Sequence, residues 1–311
     1  MKFYRHTSLA RFLCALAVLN CFSLSDADAA PTFGYSIIPA PATAPGQVVD
    51  SPAPVSASSS YGSAVSGGTI ATSATTGAGY GQLRSGSRAT LDLPQYSFGA
   101  SGFAQTSAAF TLDNIVISGP SGEVVTYSVN GAVSGGIGAS MSGSGALYSA
   151  ASVTVKFSTN SSFGGYGNAQ LGSMSADGGG GVSRSGAFAS FPVNSMSETP
   201  WISPTWQARS GDTISIGMIL ETSAAVDHRF GGSGFMDAFS DFGHTATLST
   251  SGPVFNLPSG WTANSTDGVI VNNAYVPEPS GVALVLAAGV SLLGRSSRPQ
   301  KLYRSSSARQ L

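Results

Sequence analysis

An alternation of apolar and polar residues at period two sets in near Arg88 and runs almost to residue 271, and it limits the fold more than any other feature of the chain. Successive side chains of an extended strand point to opposite faces, so this pattern specifies strands with one face buried. Phe110 and Leu112 lie in one phase and Ile115 and Ile117 in the other, which predicts a bulge at Asp113-Asn114. Val125, Tyr127 and Val129 predict a second strand, Val153, Val155 and Phe157 a third, and Ile214, Ile216, Met218 and Leu220 a fourth. Ala246 with Leu248, and Val269 with Val271, supply two more. Turn chemistry separates these runs at Gly119-Pro120-Ser121-Gly122, Asn130-Gly131, Ser210-Gly211-Asp212, Pro258-Ser259-Gly260 and Asp267-Gly268. Nothing in the region carries a helical stripe. The expectation is an all-β fold, an antiparallel β-sandwich of jelly-roll-like type, occupying residues 88–275 as one domain.

Charge is scarce, at 9% of residues. Between Ala30 and Val276 six cations stand against twelve acids, a net charge of minus six that the cationic ends of the chain mask. An acidic body argues against nucleic acid or anionic lipid as a partner. Residues 30–87 are rich in Pro, Ala, Ser, Thr and Gly, with six prolines from Pro31 to Pro54. Such a stretch has little apolar surface to offset its ordering entropy, and it reads as a low-complexity leader in which Tyr61 to Tyr80 leave room for one or two edge strands.

Both ends carry export chemistry. Lys2, Arg5 and Arg11 precede a mostly apolar core from Phe12 to Leu24, and Ala27-Asp28-Ala29 is a small-residue cleavage site, so residues 1–29 read as a signal peptide. Cys14 and Cys21 are the two cysteines and both fall in it, which removes disulfides and thiolate chemistry from the mature chain. At the other end Val276, Pro277, Glu278 and Pro279 lead into an apolar run from Val282 to Leu293, followed by Arg295, Arg298, Lys301, Arg304 and Arg309 with no acid between them. A helix from Ser280 to Gly294 spans roughly 22 Å at about 1.5 Å per residue, a short crossing of a hydrocarbon core of about 30 Å. The cationic tail orients its end to the cytoplasm.

This order of Pro-Glu-Pro, short apolar helix and basic cluster resembles the PEP-CTERM sorting signal that an exosortase recognises at the bacterial inner membrane. The resemblance implies that residues 276–311 are the sorting signal, with Val276, Pro277, Glu278, Pro279 and Arg295 as its motif. It also implies exosortase and the secretion machinery as partners, transient insertion in the inner membrane, cleavage near the motif, and a mature protein at the cell surface or outside the cell. The basic part here runs on from Arg295 to Leu311, where the family has a compact cluster. Asp241 to Leu248, Phe255 to Thr262 and Ser265 also look like the closing strands of many PEP-CTERM proteins, a likeness that bears on fold rather than chemistry.

Candidate sites are few. A nucleophilic hydrolase needs a serine on a tight elbow with a histidine beside it, and the chain contains no G-x-S-x-G. No catalytic residue is assigned, no cofactor is expected, and the chain reads as a non-enzyme. Asp237, Asp241 and His244 have a metal-like spacing, set against a plainer reading in which Asp241 and His244 cap a strand start. Glu221, Asp227, His228 and Arg229 read as a solvated strand end. Asp177 with the four glycines after it lacks the Lys and Ser/Thr of a phosphate loop and reads as a flexible connection. Trp201, Trp206 and Trp261 suit stacking on sugar rings but equally suit closure of the core. The expected function is a structural or adhesive surface or matrix component. A carbohydrate-binding module for exopolysaccharide is the alternative, and a secreted polysaccharide-degrading enzyme the third reading.

Overall fold

The computed structural model describes residues 32–39, 47–51, 54–65, 68–97, 100–190, 198–228 and 232–276; the expected signal peptide and residues 277–311 lie outside the described residues. The described chain is all-β and every pairing is antiparallel. Among the described residues no helix is long and apolar enough to cross a membrane.

The first five strands are β1 (Thr32–Pro39), β2 (Gln47–Ser51), β3 (Val55–Val65), β4 (Gly68–Gly79) and β5 (Gln82–Ser97). Then come β6 (Ala100–Ser118), β7 (Val124–Gly143), β8 (Leu147–Ser161), β9 (Gly165–Asp177) and β10 (Val182–Gly186). Short β11 (Glu198–Ile202) and β12 (Trp206–Arg209) precede the long β13 (Thr213–His228) and β14 (Gly232–Leu248). The chain closes with β15 (Phe255–Asn256), β16 (Thr262–Ser265), β17 (Ile270–Val271) and β18 (Ala274–Tyr275).

Two eight-stranded sheets result. The first has the order β10-β9-β8-β13-β6-β1-β2 with β16 beside β6; the second has the order β11-β7-β14-β5-β4-β3 with β12 and β15 also beside β7. Successive strands β5, β6, β7 and β8 alternate between the sheets. β13 then fills the gap between β6 and β8, and β14 the gap between β5 and β7. Alternate residues of each long strand are buried: on β13 these include Ile214, Ile216, Met218, Leu220, Thr222, Ala224, Val226 and His228.

The buried faces of the two sheets touch through named side chains. The Tyr127 and Thr159 hydroxyls are 2.9 Å apart between β7 and β8. Thr222 on β13 gathers three hydroxyls: Ser85 and Ser87 of β5 at 2.9 and 3.0 Å, and Thr106 of β6 at 2.8 Å. Ser85 also bonds Thr106 directly, and Thr76 of β4 donates to the Ser107 carbonyl at 3.1 Å.

The expected bulge is present. Leu112 pairs Ile216 and Ile115 pairs Ile214, so three steps on β6 face two on β13, and Asn114 takes a φ of 57°. Two expectations are overturned. The leader reading fails for the described residues between 32 and 87: β1 pairs with β6 along its whole length, β3 and β4 extend the second sheet and fill the room left for edge strands between Tyr61 and Tyr80, and Ile70, Ala74, Ala78 and Leu83 are buried. Alternation there is carried by Ala, Ser and Thr, so backbone pairing rather than apolar contrast fixes the strands. Asn130-Gly131 is likewise no turn but lies inside β7, opposite Ile202 and Trp201.

Replacing Thr222 by Val keeps the volume but strips Ser85, Ser87 and Thr106 of a shared buried partner. The loss is expected to cost about 1–3 kcal/mol, read as a lower urea midpoint with unchanged slope; an unchanged midpoint would mean that the hydroxyls contribute nothing net.

Candidate functional site

Each tryptophan is placed by a glycine. Trp201 lies over Gly131 of β7, Trp206 over Gly167 of β9 and Trp261 over Gly119, and a Cβ at any of the three glycines would overlap the indole. Trp201 is 3% exposed, while Trp206 and Trp261 are half-buried against the core. Phe157 sits between the first two, its ring centroid 6.0 Å from Trp201 and 5.5 Å from Trp206. Tyr127 continues the stack at 6.3 Å from Trp206 and 5.8 Å from Phe255. The sugar-stacking role considered for Trp201 is therefore corrected: its indole faces the interior, with the ring area consumed by Phe157 and Gly131. Trp206 and Trp261 spend a face each in the same way.

The metal reading of Asp237, Asp241 and His244 also fails on geometry. Asp237 and Asp241 both lie on β14, which is continuous through them, and four residues of strand separate their Cα atoms by about 13 Å. Two carboxylates that far apart do not share an ion. Asp237 is instead paired with Arg88 of β5 through both its oxygens, at 3.0 and 3.2 Å. Asp241 accepts the Gly243 amide at 2.9 Å, pinning a bulge in β14 between Phe242 and Ala246. The strand start expected near Asp241 is thus a bulge within a strand. The side chain of His244 lies outside the described residues. Among the described residues no cluster of three His, Cys, Asp or Glu is placed to hold a metal.

His228 corrects the picture of a solvated strand end. It is 0% exposed at the inner end of β13, opposite Ala100 and Leu147, and neither ring nitrogen has a partner among the described residues. Glu221, on the outward face of the same strand, pairs with Lys156 at 2.8 Å. The Asp177-Gly run is a tight turn rather than a flexible connection, since the Asp177 carboxylate accepts the Gly179 and Gly181 amides at 2.9 and 2.8 Å.

What sequence reading missed is on the outer face of the second sheet. Ser73 of β4, Arg88 of β5, Phe239 of β14 and Gly138 of β7 are in register, and the next row holds Thr75, Gly86, Asp241 and Gly136. Beside Gly86, which carries no side chain, the Phe239 ring and the Asp241 carboxylate border an open depression of about 230 Å³. It offers an aromatic edge, a guanidinium, a carboxylate and two hydroxyls. No sequence window brings these together; only the pairing of β4, β5 and β14 does.

Asp113 is the carboxyl that its surroundings change most. It is 6% exposed at the β6 bulge, and its Oδ2 has no partner among the described residues. Burial first, and then the negative charge of Asp267, push it up from 3.8 to about 6. Burial also pushes the Tyr127 hydroxyl up, against the hydrogen bond to Thr159. Set against known proteins, the chain matches no family model, no curated protein and no solved structure.

Asp113 carries a sign that can be checked. Folded protein holds a proton there between about pH 4 and 6 that the unfolded chain has released, so stability falls as pH rises through that window. The cost saturates near pH 7 at no more than about 3 kcal/mol. Asp113→Asn is expected to raise the melting temperature at pH 7.5 and to give no gain near pH 4. An equal gain at both pH values would assign the effect to something other than ionisation.

Proposed function

We propose that this chain is an exported surface or extracellular-matrix protein with a structural or adhesive role, sorted by an exosortase. Its body on this reading is a β-sandwich of jelly-roll-like type, carried across the inner membrane behind a signal peptide and released or attached after cleavage near Pro277. The observation that carries the reading is the tail, with Pro277-Glu278-Pro279, the apolar run to Leu293 and five cations in that order. A body built from two hydroxyl-rich sheets with few charges fits the same role. It has no cysteine between Thr32 and Val276, so packing, hydrogen bonds and a few ion pairs take the place of disulfides. Replacing Pro277 and Glu278 by Ala leaves the apolar helix able to insert while removing the recognition element. The double variant is expected to accumulate uncleaved in the inner membrane, seen as a larger band in the membrane fraction. Normal delivery to the surface or medium would refute the sorting assignment.

A second reading, recognition of exopolysaccharide, is favoured by the outer depression beside Phe239 rather than by the tryptophans. A ring flanked by Arg88, Asp241, Ser73 and Thr75 combines a stacking surface with planar polar groups, the mix that sugar rings and their hydroxyls take. Phe239→Ala is expected to lower the affinity of the protein for its array-selected glycan by about tenfold, roughly 1.4 kcal/mol, with Trp261→Phe as a neutral reference. Binding that follows Trp261 and ignores Phe239 would exclude the depression as the site.

A further inference from the structure

The outermost strands of a sheet present unpaired N–H and C=O groups, and natural proteins blunt such edges with charge, proline, bulges or shortness. Most margins of this molecule are blunted in that way. β2 and β10 are five residues each and carry Asp50 and Arg184. Along β7 the margin is shared by β11, β12 and β15, of five, four and two residues, with Glu198, Pro200 and Arg209 among them.

β3 has none of these devices. It runs eleven residues from Val55 to Val65 without proline, in unbroken register with β4. From Ser51 to Leu83 the chain contains no Asp, Glu, Lys, Arg or His. Among the described residues β4 is its sole strand partner. The outward positions Ser56, Ser58, Ser60, Gly62 and Ala64 are small and exposed, while Val55, Ala57, Tyr61 and Val65 on the other face pack against the core.

We infer that β3 is a self-association edge, at which two copies of the chain pair β3 against β3, antiparallel about a two-fold axis. Three observations favour a second copy as the occupant. A two-fold axis makes any strand complementary to itself, because each outward donor meets the acceptor of the symmetry-related residue. In such a pair each residue faces the one whose number completes a constant sum, so an uncharged strand meets no like charge in any register, and β3 and β4 carry no charge. The body is otherwise acidic, so this neutral strip is where two copies approach without repulsion. The inference goes beyond the proposed function and is independent of sorting, since it concerns the folded body alone.

The test uses the full chain with Cys14 and Cys21 replaced by Ser, leaving it free of thiols. Single cysteines are introduced at Ser56, Ser58, Ser60, Gly62 and Ala64, oxidised alone and in mixed pairs, and resolved on non-reducing gels. Pairs whose residue numbers share one constant sum are expected to cross-link, the signature of a single antiparallel register, while Ser73→Cys on the inner neighbour β4 stays uncrosslinked. Light scattering is expected to show a dimer that Ser58→Lys with Ser60→Lys weakens by about tenfold or more. A monomer at every concentration, or cross-linking as strong at Ser73 or without register dependence, would overturn the inference. So would a dimer that ignores the two lysines, which would place the contact on another surface or assign the edge to another segment of the same chain.

Discussion

The distance between the two buried faces is set by side chains that reach across it, and these come in two sizes. Where β4 and β5 face β1, β6 and β13, the gap is filled between the buried Leu83 at one end and Ile70, Leu91 and Leu93 at the other by Ala74, Ala89, Ala104 and Ala224 and by the hydroxyls of Thr76, Ser85, Ser87, Thr106 and Thr222. Around β7, β8 and β11 it is filled by Tyr127, Phe157, Trp201 and Trp206. Small side chains bury little apolar area each, so hydrogen bonds must supply cohesion on that side, and they must be made nearly everywhere. Thr72, Ser107 and Ser240 each keep a buried hydroxyl without a partner among the described residues, at a cost on the order of 1–3 kcal/mol apiece. The aromatic side has the opposite economy, with large transfer energy and few polar debts. Tyr127 joins the two, because its ring belongs to the aromatic stack and its hydroxyl bonds Thr159 on the opposite sheet.

That division decides what the sequence discloses. Phe110 to Ile117, Val125 to Val129, Val153 to Phe157 and Ile214 to Leu220 alternate large apolar residues with polar ones, so strand, face and even the Asp113-Asn114 bulge are legible. Over the middle of β3 and β4 the inward residues are Ala57, Ser59, Thr72, Ala74 and Thr76, and the outward ones Ser58, Ser60, Ala71 and Ser73, while the larger inward residues Val55, Tyr61, Val65 and Ile70 stand near the strand ends or singly. Over that middle stretch inward and outward positions differ hardly at all in hydrophobicity, and the same composition reads as a leader. Register with β5 decides between the two, and register is not written in a single strand. Asn130-Gly131 misleads for another reason: the glycine that resembles a turn signal is there because Trp201 lies across it.

Candidate sites were less legible still. Asp237, Asp241 and His244 look compact when numbered along the chain, but a strand advances more than twice as far per residue as a helix. Extended structure therefore scatters the carboxylates that a helix or turn would gather. The depression beside Phe239 shows the converse. Its residues come from positions 73 to 241, far apart in sequence, and meet because three strands pair in one register. One of the positions that shape it is Gly86, whose contribution is an absence of side chain and leaves no chemical signal to read.

The order in which the strands arrive bears on how such a chain reaches its fold. β6 and β8 lie in one sheet, yet their ladder is complete only when β13 enters between them; β5 and β7 wait in the same way for β14. The first sheet thus stays open until β13 ends at His228 and the second until β14 ends at Leu248, and most pairings join segments far apart in sequence, the arrangement that slows folding. Until then the described strands that can pair locally are β1-β2, β3-β4-β5 and β8-β9-β10, and their hydroxyl-rich or short strands have weak cores of their own. On the export reading, that delay is useful. A chain whose second sheet cannot close before β14 is delivered completes its fold only once most of the body is on the far side.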